Sequence, residues 1–396
     1  MASRITVGKN RYCPKGSGKK RPFPTPEDIA YVQYTSGSTQ DPKGVVITHG
    51  MLIHNAIISS RDCRVFPPQR GLCWLPWWHD LMLVIGFCVP SILGTTIVYF
   101  SAMKWISHPE FWFKSCAEER ISNTAAPNFA LELMVKRVDV KSLTGVDLHD
   151  LTIFTGAELC RPATHSKFVE RFGSLGFRYW NLKNIMGMAE CTLYLSGGQN
   201  GDSRYTSFDQ NSLSGDDRVI EVRPDHPNAK TIIACGPPIS TVNGTSMIIA
   251  DLETEEVVPS GVVGELWIKG PSVADRHIRP SADHAKKFAS HTKSPDSYSS
   301  FLRTGDLAFI YDNMVYVCGR VKELIIVGGR NIIPMDIEDA VSSAHPAIRA
   351  GCIAAFGVEY EGSEAICVVV EVRESVYKKR GAESVLDQVV FPLPRQ

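Results

Sequence analysis

The densest run of chemistry-bearing residues is Tyr34-Thr35-Ser36-Gly37-Ser38-Thr39-Gln40-Asp41-Pro42-Lys43-Gly44. Hydroxyls and glycine amides gathered in a loop after a strand can wrap phosphate oxygens, and a lysine adds a point charge. The run is not a Walker loop, because its glycine spacing differs and Lys43 is followed by Gly44 instead of Ser or Thr. A plain Ser/Thr/Gly connector is the competing reading. A second candidate is His79, which stands among Trp77, Trp78 and Leu81 as either a satisfied core histidine or a pocket group. Thiolate metal chemistry finds no support, since the 11 cysteines are scattered and none forms a CxxC pair or a zinc ligand set.

These groups need a scaffold, and the composition provides for one. With 396 residues, 44% of them hydrophobic and 21% charged, the chain can bury one large or several smaller cores. Disordered, collagen-like and disulfide-scaffold classes are thereby excluded. Lys+Arg (42) cancels Asp+Glu (42), so no global field attracts nucleic acid or an anionic membrane, and partners must be recognised by a site. An odd set of scattered cysteines fits a reducing, cytoplasmic compartment. Met1 to Arg21 is basic and rich in Gly and Pro without an apolar segment, and reads as a solvated arm, not a signal peptide or an amphipathic presequence. Leu81 to Phe100 is uncharged and long enough to cross a bilayer, but Gly86, Pro90 and Gly94 divide it. It reads as a buried helix followed by a buried strand from Thr95, not as a transmembrane segment.

From Asp28 to about Trp180 short β-branched runs alternate with helical patterns, as in a doubly wound α/β layer: a strand Ile29 to Tyr34, the Gly-rich loop, then a helix near Met51 to Ser60. From about Arg204 to Tyr316, turn residues separate the runs Thr231 to Ala234, Met247 to Ala250 and Gly264 to Ile268, which predicts antiparallel sheet or barrel. After Gly319, a strand Leu324 to Val327, a glycine turn, a helix Met335 to Ser343 and strands Gly351 to Phe356 and Ala365 to Val372 predict a small α+β module. The expected division is an arm (1–27), an α/β subdomain (28–205), a β-rich subdomain (206–321) and a C-terminal α+β domain (322–396).

The stretch TSGSTxxPKG resembles the phosphate-binding signature of adenylate-forming enzymes, the acyl-CoA synthetase, adenylation-domain and luciferase superfamily. Five further stretches in the superfamily's order strengthen the resemblance: Trp74 to Asp80, Gly156-Ala157-Glu158, Met186 to Thr192, Leu302 to Leu307, and Gly319 to Ile325 continuing to Glu338. Ala189, the run Leu193 to Gly198, Ala126 to Ala130 and Phe301 to Asp306 are most similar to the fatty acyl-AMP ligase branch, which passes an acyl-adenylate to an acyl carrier protein.

The resemblance implies a partial adenylate-forming fold, with an α/β sheet layer, a β-barrel-like segment and a small C-terminal α+β domain. ATP and Mg²⁺ would be the cofactors, a fatty or other carboxylic acid the substrate, and a carrier protein of a polyketide, nonribosomal peptide or lipid pathway the acceptor. It also implies roles for residues. Thr35, Ser36, Gly37, Ser38, Thr39 and Lys43 would hold phosphates, and Gly156, Ala157, Glu158, Met186 and Gly187 would lie along adenine. Glu190 would hold the metal, and Asp306 would accept from the ribose hydroxyls. Arg320 would supply fixed positive charge, His79 would line the acyl entrance, and Lys322 would be the hinge. Met82, Phe87, Trp105 and Phe129 read as plain core.

The match departs from the family at three places. Met186 stands where the family has an adenine-stacking aromatic. Only Met1 to Asp28 precede the phosphate loop, where an N-terminal subdomain is expected, which predicts exposed apolar surface on the α/β layer. No counterpart of the family's Pro/Gly/Lys segment occurs before Gln396, and Lys378-Lys379-Arg380 reads as a solvated loop. An acyl-CoA synthetase and a nucleotide-binding relic are the competing functional readings.

Overall fold

The computed structural model describes residues 23–35, 42–197, 203–213, 218–238, 244–279, 284–288, 290–291, 300–327, 330–360 and 363–373. The chain starts with an antiparallel hairpin, β1 (Ile29–Thr35) and β2 (Lys43–Thr48), whose register ends at Thr35 opposite Lys43. The expected order of strand, loop and helix therefore gains a strand. The β-branched run after Gly44 continues extended and leads into the helix α1 (His49–Cys63) only where the Thr48 hydroxyl accepts from the Met51 amide.

The central sheet has six strands in the order β4-β3-β5-β6-β7-β8. These are β3 (Arg70–Cys73), β4 (Thr96–Tyr99), β5 (Asn123–Ala126), β6 (Thr152–Thr155), β7 (Leu182–Gly187) and β8 (Tyr194–Gly197). The first five in that order are parallel, and only β8 runs against its neighbour. Parallel neighbours need helical crossovers. A π-helix (Met82–Cys88) and α2 (Val89–Leu93) lead into β4; α3 (Ala102–Ser107) and α4 (Glu110–Glu118) lead to β5; α5 (Asn128–Arg137) leads to β6 and α6 (Pro162–Phe172) to β7. The uncharged Leu81 to Phe100 stretch is thus two short helices and a strand, and no helix among the described residues is long and apolar enough to cross a membrane.

Aromatic side chains fill the space between sheet and helices. Trp105, Trp112, Phe113, Phe168, Phe172 and Phe177 are fully buried, Trp74 stacks on Trp105 with centroids 4.0 Å apart, and Phe113 meets Phe172 edge-on at 5.1 Å. Ile53 and Ile57 of α1 are about half exposed on the outer face of this layer.

The β-rich segment holds the hairpin of β9 (Tyr205–Asp209) and β10 (Ala229–Ile233) and a four-stranded antiparallel sheet. The four strands are β11 (Ser246–Ala250), β12 (Gly264–Lys269), β13 (Leu302–Tyr311) and β14 (Met314–Arg320), joined in sequence order. Phe208, Phe309 and Tyr316 form their shared core, and Thr206 hydrogen-bonds the Tyr316 hydroxyl at 2.9 Å. In the C-terminal module β15 (Ile325–Val327) pairs with β16 (Arg330–Ile332), and β17 (Ile348–Tyr360) pairs with β18 (Ser363–Val372). Residues 284–288 form the short helix α7, and α8 (Pro334–Ala344) packs on β17. Arg161 pairs with Asp339 at 3.2 Å and Lys230 pairs with Asp336, so α8 is held to the preceding segments by charge.

One buried side chain fastens α1 to the sheet. The Asn55 amide donates to the carbonyls of Cys191 and Tyr194, each at 3.0 Å, and its oxygen accepts from the Tyr194 amide at 3.1 Å. Asn55→Leu keeps the branched outline of the side chain at a somewhat larger volume and strands three buried backbone groups. The expected loss is about 3 kcal/mol of unfolding free energy. Urea denaturation checks this, and a loss below about 1 kcal/mol would show that Asn55 is no clamp.

Candidate active site

In the sheet the chain steps from β3 to β4 on one side, then returns to place β5 on the other side of β3. Connections leave in opposite directions at such a switch point, and a crevice opens at the carboxyl ends of the strands. Here β3 and β5 pair at Gly71–Asn123 and Leu72–Thr124, and no pair joins Cys73 or Ala126 at their carboxyl ends. The segments singled out in the sequence follow these same strand ends: Trp74 to Asp80 after β3, Pro127 to Phe129 after β5, Gly156 to Glu158 after β6, and Met186 to Glu190 at the end of β7. The β1–β2 hairpin is tied to the same edge, since the Gln33 amide donates to the Trp78 carbonyl at 3.0 Å. Ser36, Gly37, Ser38 and Thr39 lie outside the described residues, whereas Thr35 and Lys43 face each other at the base of the hairpin, with the Thr35 hydroxyl 3.4 Å from the Lys43 carbonyl.

Gly156 is required where it stands, because a Cβ there would lie 2.5 Å from the Ile185 carbonyl of β7. The next residue, Ala157, takes a positive φ of 69°, which turns the chain so that the Glu158 carboxylate accepts from the Phe129 amide at 2.6 Å. Glu158 therefore links the ends of β5 and β6, and its burial holds its pKa above the ordinary carboxylate range. Met186 is buried in β7, opposite Ser196.

Two buried carboxylates meet where the central sheet adjoins the β-rich segment. Glu190, 6% exposed, sits in a turn clamped by Asn55 and by a bond from the Ala274 amide to its carbonyl (2.8 Å), and pairs with Lys287 of α7. Asp306 stands opposite Arg320 in the β13–β14 register, and the guanidinium Nε lies 3.0 Å from its Oδ1. Burial pushes the Asp306 pKa up to about 6, with Arg320 pulling against it and the Glu190 charge adding to it.

Asp306 is aimed by a second, deeper network. Gly305 has φ of 77° and donates its amide to Glu265 Oε1 at 3.1 Å, and the Thr304 hydroxyl donates to the Leu266 carbonyl at 2.8 Å while accepting from the Asp306 amide at 3.0 Å. Glu265 in turn accepts from the Trp267 indole at 3.0 Å and from Arg303 Nε at 2.8 Å. Glu265, Arg303 and Lys287 were not legible as site residues, since each gains its partner only across the fold.

A family model described as AMP-binding enzyme matches residues 5–276. The chain belongs to the AMP-binding enzyme family. Among curated relatives, it is 32% identical over 375 residues to a medium-chain fatty acid–acyl-carrier-protein ligase, JamA, of Moorena producens, covering 93% of this chain and 62% of the relative. It is 34% identical over 360 residues to a long-chain fatty acid–AMP ligase, FadD23, of Mycobacterium tuberculosis, covering 87% of this chain and 59% of the relative. The fold matches a structure from a study of fatty acyl-adenylate ligases of E. coli and L. pneumophila with a TM-score of 0.82 at 28% identity, covering 94% of this chain and 66% of the other. It matches a fatty acyl-adenylate ligase of L. pneumophila in complex with acyl adenylate and pyrophosphate with a TM-score of 0.73 at 30% identity, covering 93% and 65%. The chain thus has the adenylate-forming fold, and it spans about three fifths of the length of these curated relatives.

Within this AMP-binding family member, His79 is no core histidine. Its ring pairs with Asp80 at 2.8 Å, which raises its pKa more than burial lowers it, and the neighbouring Trp78 is almost fully exposed. Trp77, 48% exposed, packs against Tyr99 at 5.0 Å and Phe87 at 6.1 Å. Met82 and Trp105 are core as expected, but Phe87 (44% exposed) and Phe129 (52%) are not: each meets one ring edge-on, Trp77 and Trp105 respectively, and leaves the rest of its surface uncovered. Lys322 is exposed in the turn Val321–Glu323 that leads out of β14.

No group of three or more His, Cys, Asp or Glu able to hold a metal occurs among the described residues. One buried carboxylate, Glu190, fits Mg²⁺, which takes one or two protein carboxylates and completes its shell with water and phosphate oxygens.

The raised Asp306 pKa has a consequence for stability. A carboxyl with a folded pKa near 6 and an unfolded one near 3.8 binds more protons in the native state between those values, so its contribution is present below about pH 4 and is lost as pH rises through 6. Asp306→Asn removes this dependence. Relative to wild type, the variant is expected to gain up to about 3 kcal/mol between pH 4 and pH 7, read by urea unfolding at each pH. A constant difference across that range would mean that Asp306 titrates normally.

Proposed function

We propose that this protein activates a fatty or related carboxylic acid with ATP, forming an acyl-adenylate and pyrophosphate, and passes the acyl group to an acyl carrier protein. The observation that carries the reading is the meeting of Glu190 with the Asp306–Arg320 pair at the carboxyl edge of the sheet. Support for the acyl substrate comes from the relatives' names and from the half-exposed aromatics Trp77, Phe87 and Phe129 beside His79. Support for a carrier-protein acceptor comes from the name of the Moorena relative.

A carboxylate attacking an α-phosphate meets a like charge, so the reaction needs donors already in place to neutralise charge as it shifts to pyrophosphate. Thr35, Ser36, Ser38, Thr39 and Lys43 orient the β- and γ-phosphates, with the hairpin base holding Thr35 and Lys43 on the crevice edge. Asp306 accepts from the ribose hydroxyls while Arg320 holds it ionised and oriented. Gly156 to Glu158 and Met186-Gly187 flank adenine. Glu190 holds Mg²⁺, which when bound supplies positive charge against the phosphates. Lys322, at the exit of β14, is the hinge on which the C-terminal module turns between the two half-reactions.

Mass-spectrometric detection of acyl-AMP tests this, with purified chain, ATP, Mg²⁺ and a panel of fatty acids. Wild type is expected to form acyl-AMP, and Glu190→Ala to lower its rate on the order of a hundredfold or more. A folded wild-type chain without product, or equal product from Glu190→Ala, would overturn the reading.

A further inference from the structure

Lys287 lies in α7, a five-residue helix packed on β13, far from any motif that marks the site in the sequence. Its ammonium nevertheless pairs with Oε1 of Glu190, and its charge also reaches Asp306. The two partners differ in freedom. Glu190 is buried in a turn whose backbone is held by Asn55 and by the Ala274 amide, which fixes where its side chain starts. Lys287 is about a quarter exposed, on a flexible four-carbon stem, with its ammonium 6.0 Å from the Phe288 ring centroid. A buried carboxylate with no cation is costly, and the Lys287 ammonium offsets that cost at Glu190. Two cations on one carboxylate oxygen repel strongly at such a range.

We propose that Lys287 is the resident counter-ion of Glu190, and that a divalent cation reaches this carboxylate only by displacing the ammonium. The inference deepens the metal-holding role given to Glu190 above and rests on it. Lys287 is then a positioning residue: it keeps the metal-free site neutral and sets how much divalent cation is needed to open it.

Two measurements test the displacement. In the nucleotide-free chain, Mn²⁺ binding is followed by the electron paramagnetic resonance of the free ion. Lys287→Met is expected to bind at least about fivefold tighter than wild type, Lys287→Arg no tighter, and Glu190→Gln much more weakly than wild type. If Glu190→Gln weakens binding while a folded Lys287→Met does not tighten it, the displacement is wrong and the metal role of Glu190 stands. If Glu190→Gln leaves Mn²⁺ affinity unchanged, the metal role itself falls, and this inference with it. Wild type alone gives the second reading, whatever the variants' folding: amine acetylation of Lys287, quantified by peptide mass spectrometry, should rise at least about threefold on adding Mg²⁺. No rise would overturn the proposal.

Discussion

Everything in the candidate site depends on keeping negative charge out of water. Glu190 and Asp306 are both buried, and the Glu190 charge adds to the cost of ionising Asp306. Each is met by one cation drawn from another element: Lys287 from α7, and Arg320 from the strand beside Asp306. Burial outweighs the attraction of Arg320, which is more than half exposed, and so the Asp306 pKa stays raised, at about 6. Two carboxylates gathered in one buried place favour the approach of positive charge.

The fold supplies the rigidity that such burial requires. Parallel strands fix where the loops leave the sheet, and the switch between β3 and β5 opens the edge at one place. Around that opening the loops are tied by few, well-buried bonds: Asn55 to the Glu190 turn, Glu158 to the Phe129 amide, and Glu265 to the Gly305 amide. None of these three side chains needs to touch a substrate to matter. Each satisfies backbone groups that would otherwise be stranded in the interior, and so holds a neighbouring functional residue in one orientation.

The aromatic side of the crevice follows a different rule. Trp74, Trp105 and Trp112 pack against one another beneath the strand ends, while Trp77, Phe87 and Phe129 remain partly uncovered above them. The lower group is core and the upper group is a rim, although the residue types are the same.

The order of motifs was legible in the sequence, and so were the fold class, the division of Leu81 to Phe100 into helix and strand, and most strand positions in the β-rich and C-terminal segments. These are local properties, set by side-chain alternation, turn residues and short contiguous signatures. The strand Lys43–Thr48 was passed over because glycine and lysine at its start look like loop. The exposure of Phe87 and Phe129 was misjudged for another reason: composition cannot tell which apolar residues the fold leaves partly uncovered. Lys287 and Glu265 lie outside every motif, and Arg303 lies inside one without a role assigned to it, because an ion pair across 97 or 38 residues is created by the tertiary fold. The sequence by itself determined which residues could do the chemistry; the tertiary structure alone decided which charges are buried together, because burial and pairing depend on what the rest of the chain places around them.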